Sequence, residues 1–328
     1  RNYYQQAALP QGDLRSTAVA QPAIATATVA GLKVLKNLGI TATVAVGHSL
    51  GEICALHWGG AISEDELLTL TKLRGQAMKE LGSDTGVMAS IRASAKQVSS
   101  ILPAKGVVIA GFNAPQQTII SGTMTIVTTV LEEAQIRGWP AYRLPISQGF
   151  HSPLISDVIM PLAKDLDTLP WQPLHKRIIS TVTGSVLDSH TNLKNLLCQQ
   201  ITHPVRFQEA LTKAATDLDL LIEVGPGHVL DRLASQFLDV PAIALDVGGS
   251  SLKGLLQAVG YAFTLGVPLN HQFLFSDRFA RPFELNWQPK FLANPCEVAN
   301  LARESVPAAK HSGTAAPQQC STKAGIRI

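Results

Sequence analysis

Three side chains in this sequence have types and settings that suit one kind of chemistry: Ser49, His151 and Arg74. Ser49 stands at the centre of Gly47-His48-Ser49-Leu50-Gly51, between a β-branched run (Thr41 to Val46) and a predicted helix. Strand, tight turn and helix in that order present a serine hydroxyl at the end of a sheet as a nucleophile. The two glycines leave room for the turn and for a substrate to approach the backbone. A structural turn serine is the plainer reading, and the flanking strand and helix argue against it.

A serine hydroxyl attacks only when a base takes its proton, and histidine is the usual base. Of nine histidines, His151 is the best placed. It precedes Ser152-Pro153, a cap-then-proline helix start whose positive end favours the neutral, proton-accepting imidazole. The alternative is a surface histidine at a helix entry. His228, in Gly225-Pro226-Gly227-His228, is a second candidate base of the kind other hydrolases use, and His48 reads as positional rather than catalytic. Arg74 shares a helical face with Leu67, Leu70, Met78 and Leu81. A guanidinium in an apolar stripe is costly without an anionic partner. It either snorkels to solvent or holds a carboxylate by two parallel hydrogen bonds. Together, a serine nucleophile and a buried arginine point to transfer of an acyl group that itself bears a carboxylate.

The elements that must position these groups are read from periodicity. Residues 22–38 read as a helix with a stripe of Ile24, Val29, Leu32, Leu35 and Leu38, and Glu64–Leu81 as another, opened by a Ser63/Glu66 capping box. From Gly86 to Pro145 the order becomes β-α-β-β-α-β, a ferredoxin-like unit. A helix over 153–168 with a kink at Pro161 comes next, then strand 178–184, a helix over 207–216, strand 220–227, a helix, strand 242–245 and a helix ending near Leu265. Parallel strands alternating with helices predict a doubly wound sheet. The expected fold class is therefore α/β: a large α/β-hydrolase-like subdomain with a parallel sheet (1–84 and 149–270) and an inserted ferredoxin-like small subdomain (85–148). A linker segment (271–301) and a flexible tail rich in Ala, Ser, Gly, Pro and Gln (302–328) complete the chain.

The bulk numbers narrow the partners. A length of 328 residues allows a large core, and a formal charge of +3 without a dense basic run argues against nucleic acid. Cys54, Cys198, Cys296 and Cys320 follow neither a zinc nor a redox spacing, and read as reduced thiols of a cytoplasmic protein with no metal. No signal peptide is expected. The apolar stretch 18–32, broken by Gln21 and Pro22, reads as too short for a membrane span.

At this point an ordered set of motifs becomes visible: QPAI (21–24), GHSLGE (47–52), LRGQAM (73–78), FNAPQQTIISG (112–122), GFHSP (149–153), QITHPVRF (200–207) and EVGPG (223–227). Over roughly residues 15–270 the chain resembles the malonyl-type acyltransferase domains of fatty-acid and polyketide synthases. The resemblance implies that Ser49 carries the acyl ester and His151 is its base, in a dyad without a third carboxylate. It implies that the backbone carbonyl at Gln200 orients His151, that Arg74 binds the free carboxylate of the extender, and that Gln21 and His48 line the pocket. The N–H of Leu50 is expected to face the oxyanion. The family also has a GQGSQ loop ahead of these motifs as the source of a second oxyanion donor, and that motif does not occur in this sequence. Phe150, before the base, implies malonyl over methylmalonyl, since a ring beside the acyl α-carbon leaves no room for a methyl group. The usual HAFH is QGFH here, with Gln148 and Gly149 in two of its places.

The same resemblance implies a ping-pong malonyltransferase with malonyl-CoA as substrate, no bound cofactor, an acyl carrier protein and neighbouring synthase domains as partners, and no membrane. Residues 281–297 resemble the segment that comes after acyltransferase domains, closest to enediyne-type iterative synthases; an ordinary extension is the alternative. Arg278, Arg281 and Lys290 either meet an acidic carrier or form a solvated face. The rival readings are a serine esterase or thioesterase on the same elbow and a degenerate docking domain.

Overall fold

The computed structural model describes residues 16–83, 85–146 and 148–276. The expectations for the tail, for most of the linker segment, for Arg278, Arg281 and Lys290, and for Cys296 and Cys320 lie outside the described residues.

Helix α1 (Thr17–Asn37) begins five residues before Pro22 and carries that proline inside it. Pro22 is the sixth helical residue, past the first turn, so it forfeits the hydrogen bond to the Ala18 carbonyl, and the helix nonetheless extends back through Thr17-Ala18-Val19-Ala20. At 21 residues, with an 18-residue window of mean hydropathy 1.4, α1 is long and apolar enough to cross a membrane by length and composition, contrary to the reading that the stretch is too short. Its buried residues are Gln21, Ala25, Thr28, Val29, Gly31 and Leu35; of the expected stripe Val29, Leu35 and the capping Leu38 are buried, Leu32 is half-buried and Ile24 is exposed. Helix α1 packs closely on α3 (Glu64–Leu81). A Cβ on Gly75 would stand 2.7 Å from the Thr17 carbonyl oxygen and 3.0 Å from Ala18 Cα, so small residues face that contact.

Strand β1 (Val44–Val46) leads through the Ser49 turn into α2 (Leu50–Gly59). Helix α3 starts on the Ser63/Glu66 capping box, with Glu66 N donating to Ser63 Oγ at 3.3 Å and Ser63 N donating to Glu66 Oε2 at 2.6 Å. The small sheet then runs in the order β2 (Gly86–Ile91), α4 (Ala95–Ser99), β3 (Val107–Ala114), β4 (Gln117–Thr123), α5 (Met124–Ile136) and β5 (Ala141–Arg143). Its strands lie β3-β4-β2-β5, all antiparallel, the ferredoxin-like arrangement the rhythm predicts. A separate core of Ile91, Val98, Ile120, Val127 and Val130 holds the helices on this sheet.

Beyond it, a 3-10 segment (Pro153–Val158) precedes α6 (Ile159–Asp167). The break falls at Ile155 (φ −118°) rather than at Pro161. Pro161 is the third residue of α6, where an N–H would have no helical acceptor, and it therefore costs nothing there. Strand β6 (Arg177–Ile179), α7 (Leu193–Thr202), α8 (Phe207–Ala214), β7 (Leu221–Glu223), α9 (Leu230–Ala234), β8 (Ala242–Ala244) and α10 (Lys253–Thr264) follow, with 3-10 turns at Ala215–Asp217 and His271–Phe275.

Parallel pairing takes the form of two pairs, β1 with β6 and β7 with β8, rather than one doubly wound sheet among the described residues. Each strand is three residues long, and the pairs are joined by side chains: Val46 and Leu221 share a cluster with Val205, Phe207, Leu211 and Leu233. The carboxyl ends of β1 and β6 carry Ser49 and the Ser180-Thr181 turn. The small sheet is tied to the same region where Phe112 N donates to the Val205 carbonyl (2.8 Å) and Val205 N to the Ala110 carbonyl (2.9 Å).

Candidate active site

The Ser49 turn is built by one close approach. A Cβ on Gly47 would lie 2.1 Å from the Gly51 carbonyl carbon and oxygen, so the strand can pass over the helix only as glycine. Nothing stands within 4 Å of a Cβ at Gly51, which keeps open space beside the nucleophile. Ser49 takes φ 51° and ψ −108°, outside the usual regions for a side-chain-bearing residue. The first-turn donors of α2 are partly used, Gly51 N by the His48 carbonyl (2.9 Å) and Glu52 N by the Ser49 carbonyl (3.0 Å). The N–H of Leu50, first residue of the helix, belongs to the group that helical geometry leaves without an internal acceptor.

His151 reaches this turn from the far end of the small sheet. Its Nε2 lies 2.9 Å from Ser49 Oγ. On the other side of the ring, Nδ1 lies 2.9 Å from the Gln200 carbonyl oxygen and 3.1 Å from that of His203. Two carbonyls only accept, so Nδ1 carries the proton and Nε2 is free to accept one from Ser49. Burial pushes the His151 pKa down to about 3, with the charges of Arg74 and then His48 adding to the effect. The neutral base expected from a helix start is thus neutral for a different reason: the next helix is a short 3-10 segment, and desolvation dominates.

Arg74 is buried, 3% exposed, inside the stripe of Leu67, Leu70 and Met78, whereas Leu81 is exposed. Its Nη1 donates to Gln21 Oε1 at 2.6 Å and its Nη2 to Gln200 Oε1 at 3.0 Å. Among the described residues neither partner is charged. Burial lowers its pKa to about 10, which leaves it protonated at neutral pH. The Gly75 contact that brings α1 onto α3 also sets Gln21 beside Arg74.

His48 and Phe150 frame the rest. His48 Nε2 lies 2.9 Å from Asn113 Oδ1, its ring sits 5.4 Å from the Phe207 ring, and burial lowers its pKa. Phe150 packs against both the large core and the Met88, Ala110 and Ile119 cluster of the small sheet. Gly149 fits there because a Cβ would meet Leu154 Cδ1 at 3.0 Å, Ser121 Oγ at 3.2 Å and Gly86 Cα at 3.3 Å.

Ser49, His151, Arg74, Gln21, Gln200, Leu50, His48 and Phe150 are therefore linked through direct contacts or shared packing around one turn. His228 is not among them. It lies at the end of β7, 3.3 Å from Asp246 Oδ2, on the other parallel pair. Glu52, Asn113 and the His203 carbonyl join the site without having stood out in the sequence. Glu52 and Asn113 fall inside motifs already singled out, and a polar residue at a predicted buried helix position was the available signal for Glu52. Among the described residues no three His, Cys, Asp or Glu side chains gather as a metal-binding group. The Cys54 thiol is buried and its pKa pushed up to about 12.

The profile of the Acyl transferase domain family matches residues 6–257. The chain is 35% identical over 233 residues to the malonyl CoA-acyl carrier protein transacylase of Bacillus subtilis, covering 68% of this chain and 74% of that protein. To a phenolphthiocerol synthesis polyketide synthase type I, Pks15/1 of Mycobacterium bovis, it is 30% identical over 303 residues, 88% of this chain. It spans 14% of that synthase and 19% of a related Mycobacterium tuberculosis polyketide synthase, so it matches a small part of each. Among solved structures, the acyltransferase domain of an iterative polyketide synthase in enediyne biosynthesis superposes with a TM-score of 0.76 at 36% identity, covering 80% of this chain and 70% of that one. The malonyl CoA-acyl carrier protein transacylase of Clostridium perfringens gives a TM-score of 0.73 at 29% identity, covering 79% and 83%.

Proposed function

The chain belongs to the acyl transferase family, and from that premise we propose that it moves a malonyl group from coenzyme A to the phosphopantetheine thiol of an acyl carrier protein in polyketide synthesis. The observation that carries the reading is a buried, protonated Arg74 held by neutral amides beside a Ser49–His151 pair at 2.9 Å.

In the first half-reaction His151 Nε2 takes the Ser49 proton as Oγ attacks the thioester carbonyl. The Leu50 N–H faces the developing oxyanion. The tetrahedral intermediate collapses, the C–S bond breaks, and His151 returns the proton to the departing CoA thiolate. In the second, His151 takes the proton of the carrier's thiol, the thiolate attacks the malonyl-serine ester, and Ser49 leaves with the proton. This is ping-pong covalent catalysis, and it takes place in the cytoplasm, with neighbouring synthase domains as the setting. Each step draws on side chains and backbone alone.

Arg74 selects acyl groups with a distal carboxylate, which replaces its amide contacts with charge-assisted ones. Acetyl leaves the guanidinium without a charged partner. Phe150, wedged between the two cores, excludes the extra methyl of methylmalonyl by shape, a discrimination of about 1–3 kcal/mol. The orientation of His151 by two carbonyls rather than a carboxylate favours this reading over an esterase triad.

Intact-protein mass after brief exposure to equimolar malonyl-, methylmalonyl- and acetyl-CoA tests it, with Ser49→Ala alongside. The expected result is a malonyl adduct on the parent protein and none on the variant. An acetyl adduct overturns the role of Arg74, a methylmalonyl adduct that of Phe150, and no adduct overturns the transferase reading in favour of a docking domain.

A further inference from the structure

Beneath the Ser49–His151 pair lies a carboxylate that takes no part in these proton transfers. Glu52, in the first turn of α2, is wholly buried. Such a group is tolerated only when its oxygens are well paired. Oε1 accepts from Ser180 Oγ, and Oε2 accepts from Gln200 Nε2 at 3.2 Å. Thr181 Oγ1 lies 2.8 Å from Oε2 and 2.9 Å from the Gly47 carbonyl oxygen. Ser180 Oγ in turn accepts from Val182 N (3.0 Å) and Thr183 N (3.4 Å). With both lone pairs engaged, the Ser180 proton points at Glu52. Oε1 thus accepts from Ser180 while Oε2 faces Gln200 Nε2, an arrangement of two accepting ends that an amide of the same size cannot reproduce.

Arg74, a guanidinium that only donates, decides how the Gln200 amide sits. An amide has one donating and one accepting end. Gln200 Nε2 donates to Glu52 and to the Ser49 carbonyl oxygen (3.0 Å), which leaves Oε1 to accept from Arg74 Nη2. The reversed amide would set N–H groups against a guanidinium and an oxygen against two other oxygens. An obligate donor on one side and oxygens on the other thus select one orientation.

We propose that Glu52 is a positioning residue for recognition of the acyl carboxylate: through the Gln200 side-chain amide it fixes the Arg74 guanidinium, while the Gln200 backbone separately holds His151. This rests on the reading of Arg74 as the carboxylate-binding group. Because the Gln200 amide reaches Arg74 on one side and only the backbone carbonyl of Ser49 on the other, loss of Glu52 acts more strongly on malonyl binding than on the attack of Ser49 on an acyl group without a carboxylate.

The test is the rate of acyl-enzyme formation from malonyl-CoA and from acetyl-CoA, across substrate concentration, for the parent, Glu52→Gln, Gln200→Leu and the double variant. Glu52→Gln is expected to raise KM for malonyl-CoA and to slow acetylation much less, so that the malonyl preference falls about tenfold. Gln200→Leu is expected to lower the preference similarly, and the double variant no further, because both changes cut one link. Equal loss for both substrates shows a merely structural role and overturns the proposal. So does an unchanged preference, or additive losses in the double variant. Should Glu52→Gln fail to fold, Glu52→Asp, which keeps two accepting oxygens, must retain a malonyl preference within threefold of the parent or the proposal fails. If the parent protein itself prefers acetyl-CoA, the reading of Arg74 fails first and the proposal falls with it.

Discussion

Ser49 and His151, whose side chains meet across 2.9 Å, both hold left-handed backbone, φ 51° and 55°, and with Asp246 they are the non-glycine described residues at positive φ. Such conformations cost about 1–3 kcal/mol each and persist where the surroundings impose them. Here the imposing contacts are the Gly47–Gly51 crossing on one side and the Gln200 and His203 carbonyls on the other. Two residues brought from sequence positions 102 apart thus meet at the expense of local backbone comfort.

That strain gives a stability prediction separable from activity. Ser49→Gly and Ser49→Ala both remove the hydroxyl and should abolish the acyl adduct. The glycine variant should be more stable than the alanine variant by about 1 kcal/mol, the reverse of the usual order in ordinary helical backbone. Chemical denaturation of the pair measures the difference, and an alanine variant as stable as the glycine one would mean that the turn is relaxed.

Arg74→Ala should reduce malonyl acylation about a hundredfold or more while raising acetylation relative to it. Arg74→Lys should recover little, because an ammonium cannot make the paired contacts now shared between Gln21 and Gln200. Acylation kinetics with both CoA thioesters decide it, and equal loss for the two substrates would place Arg74 in the scaffold.

The pH dependence has a defined sign. Burial and Arg74 hold the His151 pKa at about 3, below its ordinary value of 6.5. Its neutral form therefore persists through mildly acid solution, and single-turnover acylation should stay level from pH 8 to about pH 5. Between pH 6.5 and 3 the unfolded chain binds a proton at this residue that the folded one does not. Folding stability should accordingly fall as pH drops through that window. An acylation limb centred near pH 6.5 would show an exposed base.

Gly75→Val should lower both stability and malonyl preference. Its Cβ would lie 2.7 Å from the Thr17 carbonyl oxygen, and backbone cannot give way there without moving α1 off α3. Overpacking of this kind costs about 1–3 kcal/mol, visible as a lower Tm. The same shift draws Gln21 from Arg74, so a folded variant should bind malonyl-CoA more weakly. Unchanged affinity would separate the helix crossing from the site.

The local rules of the chain were legible in the sequence because they act over short spans. The capping box at Ser63, the elbow at Ser49 and the βαββαβ order each depend on spacing within a few residues or on simple periodicity. Arg74 stood out because a charge in an apolar stripe violates that periodicity. What tertiary structure alone decided involves partners far apart in sequence. The close approach of α1 was set by Gly75 of another helix, and the joining of the two parallel pairs by side-chain packing around Val46 and Leu221. His151 is kept neutral chiefly by burial rather than by the helix after it, since desolvation depends on everything packed around a group and no short motif encodes it. The same holds for Gln200. Its backbone holds His151 and its amide meets Arg74, Glu52 and the Ser49 carbonyl, a junction that exists only once α2, α3 and α7 have closed on one another.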